Sequence, residues 1–346
     1  MQKNRIGAAW AKALRRSWAT LARQALKNSA RAKPLVQPMK PIKPAAKTRG
    51  QGAAASSASL TPGRVVGPGG TRRYRLYCPP GVAPGERLPL LVMLHGCAQD
   101  AASFATSTRM NRVAARQRFV VLYPEQDRLA NAQGCWNWFD TKSGRAAREA
   151  DLVMQAIQQV CALHAVDPGR VAIAGLSAGA SLGALLVTRH PGRFKALVMH
   201  SGVPPGTAHS GLTALGAMRG RRATAPLATT ACCTPEHMAR HWPALLVIQG
   251  GADGVVAPRN GQAAAQVWAD AAEARAGPTR EVQRGQRYAM RITDFKRERR
   301  LVCRLVEVPA LAHAWSGGAP KQPFSDPRGP DASSLLWGFA AQQFVG

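Results

Sequence analysis

Val171-Ala172-Ile173-Ala174-Gly175-Leu176-Ser177-Ala178-Gly179-Ala180-Ser181-Leu182 passes from a short apolar run, through glycine and serine, into a second apolar stretch. The first four residues read as a buried strand, and the spacing from Ala178 onward predicts a helix over 178–190. Between them stands G-x-S-x-G, which in a strand–turn–helix setting forms a nucleophile elbow. The turn is tight enough that the residues two before and two after the serine must lack a side chain. It lifts the serine oxygen above the strand ends and points backbone N–H groups of the helix N-terminus at a substrate. Alone, the pattern also describes an ordinary Gly-rich turn; the flanking strand and helix give it chemical meaning.

Working outward, apolar runs recur at Tyr74–Tyr77, Leu90–Leu94, Phe119–Tyr123, Ala196–Met199 and Leu245–Gln249. Helical patterns near 107–117, 149–164 and 258–275 separate them, and a hairpin near 286–308 and a helix near 331–344 follow. Leu90-Leu91-Val92-Met93-Leu94 is apolar at every position, as a strand covered on both faces must be. Residues 72–346 are therefore expected to form an α/β-hydrolase fold, a mostly parallel central sheet with helices on both faces. The length, 346 residues with 46% hydrophobic, suffices for one such domain plus an appendage.

A serine nucleophile needs a base, an acid behind it and an oxyanion hole. His95-Gly96-Cys97 closes the strand at 90–94, where this fold places a loop that donates a backbone N–H. The amides of Cys97 and Ala178 are thus the expected oxyanion donors. The triad order in this fold is Ser, then Asp or Glu, then His. Of the eight acids between Ser177 and His313, only Asp253 immediately follows a buried-looking strand, and His313 is the only histidine beyond it. Ser177, Asp253 and His313 are the expected triad, with His313 taking the serine proton and Asp253 orienting the imidazole.

Charge is unevenly spread. Of 47 Lys and Arg, 15 lie in residues 1–72, which hold no acid, so about half the net +29 sits in one fifth of the chain. Ile6, Trp10, Leu14, Trp18, Leu21 and Ala25 recur at spacings of four and three, predicting an amphipathic helix within residues 1–30 with a basic flank. A helix of that kind suits an anionic polymer-granule or membrane surface, or else docks on the rest of the protein. Nucleic acid is the less favoured partner. Residues 31–71, rich in Pro, Ala, Gly, Ser and Lys, read as a disordered linker. No stretch reaches the roughly 18 apolar residues of a transmembrane span. Lys12, Arg15, Arg16, Arg23 and Lys27 interrupt every stretch long enough for a secretory signal. A cytoplasmic or granule-associated location is expected, with an extracellular one as the alternative.

Seven cysteines cannot all pair within one chain and suit a reducing compartment. Cys232-Cys233, with His237 and His241 at helical spacing, offers zinc-ligand types. Thr234-Pro235 explains the same segment as a helix start, so no metal and no cofactor are expected. The nine Lys and Arg between Arg280 and Arg304 read as a solvated hairpin face.

From about Leu88 onward the chain resembles the polyhydroxybutyrate-depolymerase-type esterases. The resemblance is carried by Leu94-His95-Gly96-Cys97-Ala98-Gln99, Cys135-Trp136-Asn137-Trp138-Phe139, Gly175–Gly179, His200-Ser201-Gly202 and Ala252-Asp253. It continues through His313-Ala314-Trp315-Ser316-Gly317-Gly318 and Ser325-Asp326-Pro327-Arg328-Gly329-Pro330-Asp331-Ala332. Gln249-Gly250-Gly251 departs from the family's frequent His-Gly-Asp, and Ala180 from its frequent glycine. The resemblance implies the same triad and an acyl-enzyme mechanism on carboxylic esters. It also suggests Trp136, Trp138 and Trp315 as substrate-binding residues, though a loop merely anchored by tryptophans is the alternative. Cys97 and Cys135 fall in the two loops flanking the site, so a disulfide between them is expected wherever the protein meets an oxidising environment. The expected substrate is a polyhydroxyalkanoate or another short-chain ester. Feruloyl or acetyl-xylan esters are the second expectation. A basic granule- or nucleic-acid-associated protein with a vestigial hydrolase fold is the third, and the intact triad residues speak against it.

Overall fold

The runs that are apolar at every position become neighbouring strands of one sheet in the computed structural model, which describes residues 60–224 and 242–344. All of these belong to a unit spanning Ser59–Gly346. The strands are β1 (Thr61–Gly67), β2 (Gly70–Tyr77), β3 (Leu88–Leu94), β4 (Val120–Glu125), β5 (Val166–Leu176), β6 (Ala196–His200) and β7 (Ala244–Gly250). After them come β8 (Arg275–Ala276), β9 (Arg280–Val282), β10 (Met290–Arg297) and β11 (Arg300–Val308). Short β12 (Trp315–Ser316) and β13 (Ser325–Asp326) pair with each other apart from the main sheet. The helices are α1 (Ala101–Thr108), α2 (Met110–Gln117), α3 (Arg145–Leu163), α4 (Ala178–Arg189), α5 (Gly211–Met218), α6 (Arg259–Ala271) and α7 (Ala332–Gln342).

The main sheet runs β1-β2-β4-β3-β5-β6-β7-β11-β10-β8, with β9 also on β10. From β4 to β11 the strands are parallel; β1, β2 and β10 run the other way beside their neighbours. This is the α/β-hydrolase arrangement expected from the sequence. Leu91 and Met93 point to one face with Phe104 of α1, Met110 of α2 and Leu336 of α7. Leu94, Ile173 and Leu197 meet α4 at Gly183 on the opposite face. Each such side chain, once buried, contributes about 1.5–3 kcal/mol, which is why the sheet is sealed on both sides. The pairings Leu94 with Gly175, Leu176 with His200, His200 with Ile248 and Gly250 with Val308 bring the ends of β3, β5, β6, β7 and β11 level. Loops leaving that edge can therefore meet, as ligand-handling loops do in parallel sheets.

Three details depart from the sequence reading. The stretch expected as linker to residue 71 instead contains β1, paired in full register with β2 from Thr61–Leu76 to Gly67–Gly70. The reason is local: Val65 is buried between exposed Arg64 and Val66, Gly63 lies over the Tyr74 ring, and Pro68-Gly69 closes the turn. The helical pattern near 107–117 is two helices, separated where Arg109 takes a left-handed backbone with φ 55°. Helix α5 was not expected; Ser210 starts it with a reciprocal cap to Thr213. The helix expected in residues 1–30, the linker from 31 to 59 and the Cys232–His241 segment lie outside the described residues.

The hairpin generates a prediction. A chain beginning at Thr71 loses β1, exposes the β2 edge and unburies Tyr74, whose hydroxyl accepts from Gln159 at 3.0 Å. It should melt several degrees below a chain beginning at Ser59, in parallel thermal unfolding. Equal midpoints would mean that β1 contributes nothing to the fold.

Candidate active site

Ser177 sits between β5 and α4 with φ 56° and ψ −119°, a conformation that L-residues adopt only under constraint. Its N–H donates to the His200 carbonyl at 2.8 Å, and its own carbonyl accepts from the Ser181 amide at 3.1 Å and hydroxyl at 3.2 Å. The two glycines are required by close approach: a Cβ on Gly175 would overlap the Gly179–Ala180 peptide, and one on Gly179 the carbonyls of Leu94 and His95. The serine hydroxyl is thus aimed by backbone geometry, with no hydrogen-bonded cap of its own on α4.

The β7–β11 pairing brings the expected acid and base, Asp253 and His313, together. Gly251 N–H donates to the Val308 carbonyl at 2.9 Å and Ala252 N–H to the Leu311 carbonyl at 3.0 Å, binding the two loops side by side. His313 Nδ1 then lies 2.8 Å from Asp253 Oδ2. The other oxygen, Oδ1, accepts from the amides of Val255 at 2.9 Å and Val256 at 2.8 Å. Burial works to raise the Asp253 pKa, but the charge and hydrogen bond of His313 and these two amides outweigh it, and the pKa is lowered. The carboxylate is therefore ionised, Nδ1 of His313 carries the donated proton, and Nε2 is the nitrogen that can accept one. Gln249, at a departure from the family pattern, points Nε2 at Asp253 Oδ2 across 3.4 Å.

On the side of the expected oxyanion donors, the turn after β3 is tied at the positions around Cys97. Gly96 N–H donates to Gln99 Oε1 at 3.0 Å and Ala98 N–H to the Gln133 carbonyl at 2.9 Å. Cys97 is disulfide-bonded to Cys135, with Cα atoms 4.2 Å apart. The His95 ring is braced from both nitrogens, with Nδ1 2.8 Å from the Gly96 carbonyl and Nε2 accepting from Gln126 N–H at 3.0 Å. Burial lowers its pKa to about 4, so it is a neutral strut. Behind it, Gln126 lies between buried Arg72 and buried Glu149: its Oε1 accepts from Arg72 and its Nε2 donates to Glu149 at 2.7 Å. Glu149 also accepts from the Asn137 amide at 2.8 Å and side chain at 2.6 Å. A paired, hydrogen-bonded network of this sort makes the 126–139 loop rigid, since breaking one member leaves a buried charge uncompensated.

Two of the residues expected to bind substrate are placed otherwise. Trp136 is fully buried; its indole N–H donates to the His95 carbonyl at 2.9 Å, and the Arg72 guanidinium lies over its ring at 5.1 Å. Trp315 is equally buried, stacked on His200 at 5.0 Å with its N–H on Ser333 Oγ at 3.1 Å. Both indoles spend their polar atom inward, which makes them scaffold. Trp138 keeps 9% of its surface and packs edge-on against Phe139. Sequence reading missed Gln99, Gln126 and Glu149. Gln99 stood in a quoted motif, whereas nothing in the helical pattern of α3 distinguishes Glu149 from a solvated acid. Among the described residues no cluster of three or more His, Cys, Asp or Glu could hold a metal, and no helix is long and apolar enough to cross a membrane.

The chain is similar to known esterases and depolymerases in sequence and in fold. The family profile described as Esterase PHB depolymerase matches residues 72–284. Poly(3-hydroxyalkanoate) depolymerase C of Paucimonas lemoignei is 33% identical over 138 residues, 40% of this chain but only 32% of that protein. The chain thus aligns with about a third of that depolymerase's length. Feruloyl esterase B of Neurospora crassa is 25% identical over 217 residues, covering 57% of this chain and 69% of the relative. In structure, an acetyl xylan esterase from Aspergillus awamori superposes with a TM-score of 0.59 at 16% identity, over 81% of this chain and 99% of that one. That last likeness is one of fold.

The buried histidines set a pH dependence of stability. His95 and His200 have folded pKa values lowered by burial to about 4 and about 3, against 6.5 for a free imidazole. Between those values and 6.5 the unfolded chain binds protons that the native one does not, so stability falls as pH drops below 6.5. From pH 7.5 to 5 each should remove about 2 kcal/mol. Urea unfolding at the two pH values checks this; stability unchanged on acidification would show that the rings are protonated in the native state.

Proposed function

The chain belongs to the Esterase PHB depolymerase family, and on that premise we propose that it is a serine esterase working through an acyl-enzyme, with Ser177, His313 and Asp253 as its triad. The observation that carries the reading is the 2.8 Å His313–Asp253 pair on the sheet edge that also bears the strained Ser177 turn. Ser177 Oγ attacks the ester carbonyl carbon while His313 Nε2 takes its proton, and Asp253 holds the imidazolium that forms. The carbonyl oxygen becomes an oxyanion received by the Cys97 and Ala178 amides. Collapse breaks the bond to the alkoxy oxygen, which leaves with the proton from His313. A water then gives a proton to His313 and attacks the acyl carbon; the bond from that carbon to Ser177 Oγ breaks, Oγ takes the proton back from His313, and the acid is released.

The substrate is an aliphatic hydroxyalkanoate ester, in line with the named activity of the Paucimonas relative. A feruloyl or acetyl-xylan ester is the second reading, supported by the longer alignment with the Neurospora esterase. Trp138, the one tryptophan of the three with surface to offer, is the residue we assign to the acyl side. We further assign residues 1–30, with their tryptophan stripe and basic flank, to an anionic granule or membrane surface.

Ser177→Ala should abolish hydrolysis of p-nitrophenyl butyrate while leaving the melting curve in place, and Asp253→Asn should cost about 10⁴ in kcat, because the amide favours the wrong His313 tautomer. Retained turnover in the Ser177 variant would remove the nucleophile assignment. Hydroxybutyrate release from amorphous polymer should exceed ferulate release from a feruloyl ester; the reverse order would favour the second reading. A chain beginning at Ser59 should keep its rate on the soluble ester but lose salt-sensitive adsorption to anionic vesicles. Undiminished adsorption would place the contact elsewhere.

A further inference from the structure

His200 ends β6 and has no part in the reaction steps above, yet it touches both halves of the site. Its carbonyl accepts the Ser177 N–H at 2.8 Å, the bond that holds the strained turn. Its ring, fully buried, accepts the Ser316 N–H on Nε2 at 3.1 Å and lies flat on Trp315 at 5.0 Å and 25°. Trp315 and Ser316 are two and three residues beyond His313, so the ring grips the loop that carries the base. Trp315 is fixed in turn by the Phe104 edge at 5.5 Å and by Ser333, whose hydroxyl donates to the Thr108 carbonyl at 2.6 Å.

Because Nε2 accepts, the ring proton is on Nδ1, which faces Ser201 Oγ at 3.3 Å. Only an aromatic ring with an in-plane acceptor makes both the stack on Trp315 and the bond to Ser316. Protonation of Nε2 would set two donors against each other in a fully buried site, so the ring must remain neutral. The titratable groups that face it are the proposed triad's own His313 and Asp253.

We propose that His200 is a positioning residue that registers the Ser177 turn against the His313 loop, its carbonyl holding one and its neutral ring the other. The proposal rests on the triad assignment made above. His200→Phe keeps the aromatic face but leaves the buried Ser316 N–H without an acceptor; His200→Gln keeps an acceptor. On p-nitrophenyl butyrate, kcat should fall tenfold or more in His200→Phe with KM within about threefold, and His200→Gln should recover most of the loss. Equal losses in both variants, or a folded His200→Phe with wild-type kcat, would overturn the proposal. If His200→Phe does not fold, ¹⁵N spectra of the unmodified protein decide: His200 should stay in the neutral Nδ1–H form from pH 5 to 8. The Nε2–H form, or titration within that range, would overturn the strut. An inactive but folded wild-type protein would defeat the esterase reading, and the spectra would still report separately on His200.

Discussion

A single backbone conformation governs the site. Holding Ser177 at φ 56° and ψ −119° costs about 1–3 kcal/mol, and the surrounding residues make that conformation the only one available. The His200 carbonyl takes its N–H, helix α4 begins immediately after it, and bare Cα atoms at 175 and 179 let the chain pass against Leu94 and His95. The same turn leaves the Ala178 amide at the helix start, where an anion is favoured by the helix dipole. The aim of the proposed nucleophile and one half of the proposed oxyanion hole are thus consequences of one strained residue.

Around that residue the sheet sorts its labour by strand. The proposed acid and base stand on loops after β7 and β11, which are adjacent and parallel, so a short pair of backbone bonds suffices to join them. The loop assigned to the oxyanion follows β3 on the other side of β5 and is stiffened differently, by a disulfide and by buried charge. Arg72, Gln126 and Glu149 form a chain of hydrogen bonds that meets the loop where Gln126 N–H donates to His95 Nε2, while the Trp136 ring packs against the His95 ring and donates its N–H to the His95 carbonyl. Burying such groups is expensive when any one is left unpaired, so the network favours a single arrangement of the loop.

Much of this could be read from the sequence because periodicity and punctuation agreed. A seven-residue strand with no polar position has to be covered twice, and G-x-S-x-G between strand and helix leaves one turn geometry. Asp253 and His313 followed from strand ends. What could not be read was side-chain direction. Trp136 and Trp315 look like pocket walls in a linear string, and only the partners of their indole N–H groups reveal them as scaffold. The hairpin at 61–77 was hidden because its edge strand buries one residue of seven and its glycines resemble those of a linker. Helix α5 was hidden for a similar reason, with glycine at both ends of a weak pattern, although Ser210 and Thr213 carry the capping signal. His200 gave a faint sign, a histidine closing an apolar strand, but its tautomer and its stack on Trp315 exist only in three dimensions.

The account stands or falls on Ser177 as the atom that becomes acylated. The direct measurement is to treat the folded protein with a fluorophosphonate, digest it, and locate the added mass by peptide sequencing. The account predicts one equivalent on Ser177, suppressed when Asp253 or His313 is replaced. Modification of another residue, or a folded protein that takes up none, would contradict it.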